Sequence, residues 1–371
     1  MHSRSFLFAS DFMGVNPGNF IPSLLALDAA LCQCSPDGCY RVVYAFPEKC
    51  RTFAWCRQML DEGRTIYFYG SGSSRENLSF LEDVVHRENV VLIHTHFEAL
   101  GRAVYLFRLR HPSIPIIWHK HNDFTLGKST GISVLKRRIK DFFIDRFITT
   151  VAVSPHLKTP GGHVLLNHLV SSVIPQYSIE ACQEFRHSYG LTEDDIMILM
   201  FGWDKPRKGV DIGCKMLTYL PEDLRGRCKL CIILEDNPDN RSYIAEHCSM
   251  PENVILLKNT DNIFLYHQSA DIMLSAARSE AFAYTIFEAL AVGTPVVSSD
   301  IPGVQWSRSY QNVHFFRTED PSDCATAITN ALGSNDQALN QQIATQVRLD
   351  YDIEKWCAQL LSLYRFVGAF R

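Results

Sequence analysis

Apolar strand-like runs alternate with helix-like runs along the whole of this 371-residue chain, and that alternation restricts its possible folds more than any other feature. Strand, helix, strand in repetition returns each strand parallel to the last, which gives an α/β fold with parallel sheets. The first series of strand-like runs is Ser5–Ala9, Arg41–Ala45, Thr65–Tyr69, Val90–His94, Ile114–His119, Thr149–Val153 and His163–Leu166. The second is Ile196–Gly202, Cys228–Leu234, Asn253–Leu257, Ile272–Ser275, Thr294–Ser298 and Val313–Phe316. Two series of this size predict two doubly wound domains, and the chain is long enough for two cores. Ser171-Ser172 and Pro175 interrupt the pattern, so the domains are placed at 1–174 and 175–352. The last run, Ile353–Val367, reads as a helix that stops at Gly368.

Within the second series, Ser279 to Val297 reads as loop, helix, turn and strand. Phe282, Ile286 and Leu290 share one face of a helix expected over 282–292, which Gly293 and Pro295 end. Glu280 lies before this helix and Glu288 within it, about two turns beyond its start at ~1.5 Å per residue. The helix N-terminus between them offers unpaired N–H groups and a partial positive charge, both suited to phosphate. A nucleotide-sugar has the matching layout, with a ribose diol, a diphosphate and sugar hydroxyls in order. Carboxylates accept hydrogen bonds from hydroxyl pairs, so Glu288 suits the ribose and Glu280 the sugar. Two surface glutamates near a helix start are the plain alternative.

The stretch resembles the E-x7-E signature of glycosyltransferase family 4, whose pattern runs roughly S-x-x-E-G-F-G-x-x-x-x-E-A-x-A-x-G-x-P-V-V. Glu280, Phe282, Glu288, Ala289, Ala291, Gly293, Pro295, Val296 and Val297 match, while Ala281 and Ala283 stand where glycine is usual. The resemblance implies the GT-B fold: two Rossmann-like doubly wound domains facing a central cleft. The first would take the acceptor and the second the nucleotide-sugar, and the helix at 353–371 would cross back to the first. It also implies an enzyme that moves a sugar from a nucleoside diphosphate donor to a hydroxyl of a glycan or lipid-linked acceptor. Retention of configuration and a role in cell-surface polysaccharide or glycoconjugate synthesis are further expectations. Donor contacts are expected from Phe282, Ala283, Tyr284 and Thr285 at the helix start. Another GT-B enzyme, such as a sugar-nucleotide epimerase, and a non-catalytic partner subunit of the same fold remain as alternatives.

Other strand-end loops extend the resemblance. Gly202 to Asp211 is similar to the family's G-R-x-x-x-x-K-G-x-D loop, with Lys208 in the lysine place and Trp203 where arginine is usual. Lys205 or Arg207 would supply the missing charge, although lysine lacks the arginine fork. Asn259 follows another strand, in the neighbourhood that cups the base in the family. Gly18 matches one of the paired glycines of the family's first loop, and Pro17 holds the other place. Pro115 and His121 fit the family's P-x5-H spacing, which implies a catalytic role for His121 beside Glu280.

His94 and His96 share one side of a strand, as do His119 and His121. Four histidines at strand ends would suit a metal, but no carboxylate or cysteine stands at ligand spacing, so no metal or other cofactor is expected. Asp350-x-Asp352 sits before the last helix and reads as capping. Gly70-Ser-Gly72 lacks the third glycine of a dinucleotide fingerprint and reads as a turn.

The net charge of −4 argues against nucleic acid as a partner. No apolar run reaches the ~18–20 residues of a membrane span. The twelve cysteines are scattered and read as reduced thiols of a cytoplasmic protein. From Lys128 to Arg146, six basic residues (Lys128, Lys136, Arg137, Arg138, Lys140 and Arg146) stand against two acids, Asp141 and Asp145, and Ser133–Ile148 has amphipathic helical spacing, which a solvated helix face also explains. The Lys136, Arg137, Arg138 and Lys140 cluster is therefore a candidate contact with anionic membrane, on the inner face of the plasma membrane.

Overall fold

A computed structural model describes residues 4–34, 39–121, 144, 146–168, 174–260 and 262–370. It divides into two compact units, Met1–Val170 with Tyr351–Arg371, and Ser171–Asp350. The cluster at Lys136–Lys140 lies outside the described residues.

The first unit holds a seven-stranded parallel sheet of β1 (Arg4–Ser10), β2 (Tyr40–Pro47), β3 (Thr65–Tyr69), β4 (Val90–His96), β5 (Ile116–Lys120), β6 (Thr149–Ala152) and β7 (His163–Val164). Their order is β3-β2-β1-β4-β5-β6-β7. Both faces are covered, so the strands are apolar almost without alternation. On one face Phe6, Phe8, Tyr44, Leu92 and Ile117 pack under the helices Phe20–Gln33 and Ile353–Phe366, against Leu24, Leu27, Trp356, Leu360 and Tyr364. On the other, Leu7, Val43, Ile93 and Trp118 meet Leu78, Leu81, Val104 and Phe107 of the helices Ser74–Glu88 and Ala103–Arg110. Burying each such side chain stabilises the fold by roughly 1.5–3 kcal/mol. His94, His96 and His119 break the apolar pattern on the first of these faces.

The last helix belongs to the first unit's core although it follows the second unit in sequence. Asp352 caps it by accepting from the N–H groups of Glu354 and Lys355, and Gly368, at φ +80°, follows its end. The turn at Gly70–Ser73 closes as a capping box, in which Ser73 and Glu76 exchange hydrogen bonds.

The second unit holds β8 (Ile196–Phe201), β9 (Cys228–Ile233), β10 (Val254–Leu257), β11 (Ile272–Ser275), β12 (Val296–Ser299) and β13 (Val313–Phe316). They form one parallel sheet in the order β10-β9-β8-β11-β12-β13. All the strand runs read from the sequence form strands, with ends within two residues of expectation. In each sheet the order reverses at one place, between β1 and β4 and between β8 and β11. In doubly wound sheets a crevice opens there, beyond the carboxyl ends of the two strands. Among the described residues no helix is long and apolar enough to cross a membrane, and no disulfide joins any of the twelve cysteines.

Candidate active site

The loops after β8 and β11 leave the sheet at the second unit's switch point, and they carry most of the residues singled out there. After β8 the chain makes a short helix over Lys205–Lys208 and turns through Gly209 at φ +70°. A Cβ at Gly209 would stand 2.0 Å from the Ala276 carbonyl oxygen, so glycine alone lets this loop lie against the one after β11. That approach delivers Lys208 to Glu280. The Lys208 Nζ donates to Glu280 Oε1 at 2.6 Å, and both side chains are about nine-tenths buried.

Arg207 joins them. Its guanidinium lies 3.3 Å from Glu280 Oε1, donates to the Ser279 carbonyl at 3.1 Å and to Asp204 at 2.8 Å. Trp203, in the place where arginine was expected, forms a shelf beneath both cations, with the Arg207 Cζ 4.6 Å and the Lys208 Nζ 5.4 Å from its ring centre. Lys205 turns away to Asn240 and the Tyr243 ring. The structure thus brings Arg207, and not Lys205, to the glutamate, because Arg207 and Lys208 are the last residues before the Gly209 turn.

Arg278, which the sequence reading passed over, braces the two loops. It donates two parallel bonds to Asp211 at 2.8 and 2.9 Å and also pairs with Glu319. Burial works to raise the Asp211 carboxyl, and the Arg278 fork outweighs it, leaving Asp211 below its ordinary value. Gly303 provides a second close approach, since a Cβ there would lie 1.9 Å from the Glu280 carbonyl oxygen.

The helix after Glu280 spans Tyr284–Ala291, and no side chain caps its N-terminus at Ala283. It starts two residues later than expected. The Phe282 ring stacks on Trp306 at 4.7 Å, and the Tyr284 N–H turns back to the Phe282 carbonyl at 3.0 Å. Glu288 therefore lies just over one turn into the helix rather than two. The Phe282 side chain is spent on the core, so only its backbone faces the loop. Ala283 is buried, and Tyr284 and Thr285 are half-buried at the helix start. Burial, then the nearby Glu288 charge, raises the Tyr284 phenol.

Glu288 stands 3.8 Å from the fully buried His267 Nε2, a neighbour the sequence did not predict. The Thr294 hydroxyl donates to the His267 carbonyl at 2.7 Å and fixes that segment. Asn259 is exposed after β10, at the sheet edge two strands from β8.

In the first unit, Gly18 is exposed at φ +51° before the first helix. His121, just past β5, accepts or donates through Nε2 to His96 Nδ1 at 3.0 Å and packs on Phe97 and Phe20. Burial, then the neighbouring imidazoles, holds it well below the usual histidine range. His119 is fully buried.

Two doubly wound, Rossmann-like units with their chemistry at the switch points define the GT-B architecture. The family described as glycosyl transferases group 1 matches residues 182–348, within the second unit. The glycosyltransferase from Rickettsia africae ESF-5 superposes with a TM-score of 0.77 at 14% identity, over 98% of each chain. Anabaena HepE, crystallised with UDP and glucose, gives a TM-score of 0.74 at 14% identity, over 98% of this chain and 100% of its own. In sequence, the chain is 28% identical to the lipopolysaccharide glucosyltransferase WaaG of Escherichia coli (strain K12) over 181 residues, 48% of this chain and 46% of that one. The match thus spans about half the length of that relative.

Proposed function

We propose that this chain transfers a sugar from a nucleoside diphosphate donor to an acceptor hydroxyl, with the donor bound by the second unit. The observation that carries this reading is the convergence of Lys208 and Arg207 on Glu280 at the β8/β11 switch point, directly before an uncapped helix N-terminus. The family match over the same residues supports it. In this reading Lys208, Arg207 and the Thr285 N–H at the helix start stabilise charge on the leaving diphosphate. Fixed cations in a partly buried site need little reorganisation as that charge develops.

Glu288 holds the ribose. Glu280 holds the transferred sugar. His121 is assigned to the sugar, with its neutral imidazole offering one donor and one acceptor to hydroxyls. The first unit takes the acceptor, a glycan or lipid-linked alcohol, and the transfer retains configuration. The E-x7-E pairing of family 4 is part of this reading. Cytoplasmic placement with peripheral attachment through the Lys136–Lys140 cluster completes it; each basic side chain near an anionic surface contributes about 1 kcal/mol.

The test is turnover of a panel of sugar nucleotides, uridine donors first because Anabaena HepE was crystallised with UDP. One donor should be consumed by the wild type and not by Lys208→Ala. No turnover of any donor, with or without acceptor alcohols, would refute the enzyme reading and favour a non-catalytic subunit.

A further inference from the structure

The first unit carries a second polar cluster whose buried atoms the transfer reaction leaves unexplained. His94 and His96 follow each other along one side of β4, and His96 is paired in register with His119 on β5. All three project into the face covered by the helices Phe20–Gln33 and Ile353–Phe366. Their exposures are 0, 1 and 0%. Among the described residues this is the one group of three or more histidine, cysteine or acidic side chains whose ligand atoms all lie close together, within 4.8 Å of one another.

We propose that His94, His96 and His119 bind one divalent transition-metal ion of the zinc class. The His94 and His96 Nε2 atoms and both ring nitrogens of His119 are buried without a hydrogen-bond partner. Buried polar atoms are rarely left so, because each unmet group is costly. The opposite nitrogens of two of these rings are held. His94 Nδ1 bonds the Tyr364 hydroxyl at 2.6 Å, and His96 Nδ1 bonds His121 Nε2 at 3.0 Å. A partner on one ring nitrogen orients the other toward a common point, which is how metal-binding imidazoles are usually held.

Imidazole donors suit zinc and its neighbours, and three histidines with an open fourth position are an established zinc set. Small ring movements would bring the three nitrogens to about 2.0–2.1 Å from one ion. His168, 2% exposed and anchored at Nε2 by the Ser23 hydroxyl, lies outside this group. Such an ion would tie β4 to β5 beneath the last helix and stabilise the unit that the helix closes.

Tag-free full-length protein, stripped with a chelator and reloaded with Zn²⁺, tests this without any donor or acceptor. The expected result is about one zinc per chain after desalting and a rise in the first unit's melting temperature. Co²⁺ in its place should give the visible absorption of a four-coordinate nitrogen site without a thiolate band. His119→Gln should lose the ion, and His163→Gln, exposed in the same unit, should keep it. Absence of retained metal together with an unchanged melt would overturn the proposal. So would equal retention by His119→Gln, or a thiolate band assigning the ion to cysteines. Should His119→Gln not fold, the wild-type Co²⁺ spectrum alone decides. Failure here leaves the sugar-nucleotide reading untouched, since no turnover is measured.

Discussion

In the second unit, β8 and β11 run into loops that place Lys208, Arg207 and Glu280 in contact. In the first unit, β1 and β4 run into loops lined by Phe12, Phe20 and Phe97, with neutral imidazoles of His96 and His121 among them. The sheets share a topology at their switch points, yet one presents fixed cations and the other presents rings beside two carboxyls, Asp11 and Glu98. Topology supplies a crevice, and the few residues just past the strand ends decide what it can bind. Fixed charge suits a diphosphate; neutral rings suit hydroxyls and sugar faces. Substitutions in the two regions should therefore fail in different ways.

The largest effect is expected at Lys208. Lys208→Ala should lower turnover by about 10²–10³-fold, the usual loss for one preorganised charge stabiliser. Steady-state kinetics on the responsive donor measure it, and a variant within threefold of wild type would break the assignment of charge to the second unit. His121→Ala is expected next, at about 10²-fold in turnover, typical for a positioned catalytic group. Its nucleoside diphosphate affinity should stay at the wild-type level. If affinity falls in step with turnover, the contrast between the regions is lost.

Glu288→Ala should weaken nucleoside diphosphate binding by about 1–3 kcal/mol, through loss of a charged hydrogen bond to the ribose. Glu280→Ala should leave that affinity nearly unchanged while slowing turnover. Equal weakening by the two variants would refute the division of roles.

The smallest effect is a pH slope in the first unit. Burial, then the His119 charge, lowers His168 to about 3, against about 6.5 in an unfolded chain. The unfolded state thus binds one more proton between these values. Stability from this group is complete above about pH 6.5 and falls by about 1.4 kcal/mol per pH unit below it, until the folded value near 3 is reached. Urea melts of wild type and His168→Leu from pH 7 to 5 would show the slope flatten by that amount. Parallel slopes would mean that His168 is not held neutral.

The strands were legible because sheets covered on both faces need near-continuous apolar runs, and Ser5–Ala9 or Ile272–Ser275 can serve no other purpose. The meeting of Lys208 with Glu280 was legible because loops after adjacent central strands converge whatever their details. The late helix start was not, since it depends on Phe282 finding Trp306 from another loop. The choice of Arg207 over Lys205 depends on the turn at Gly209 and the Trp203 shelf, which spacing alone does not reveal. The side-by-side histidines of β4 and β5 were visible as pairs. Their convergence was hidden because it requires the register of His96 with His119 and a partner, Tyr364, from a distant part of the chain.

Everything proposed for the second unit depends on its switch-point cations binding the donor diphosphate. Titration calorimetry of nucleoside diphosphates into wild type, Lys208→Ala and His121→Ala tests it most directly. One site per chain is expected, with a loss of about tenfold or more in Lys208→Ala, which is at least about 1.4 kcal/mol, and wild-type affinity in His121→Ala. Equal affinity in wild type and Lys208→Ala, or no binding of any nucleoside diphosphate to the wild type, would contradict it.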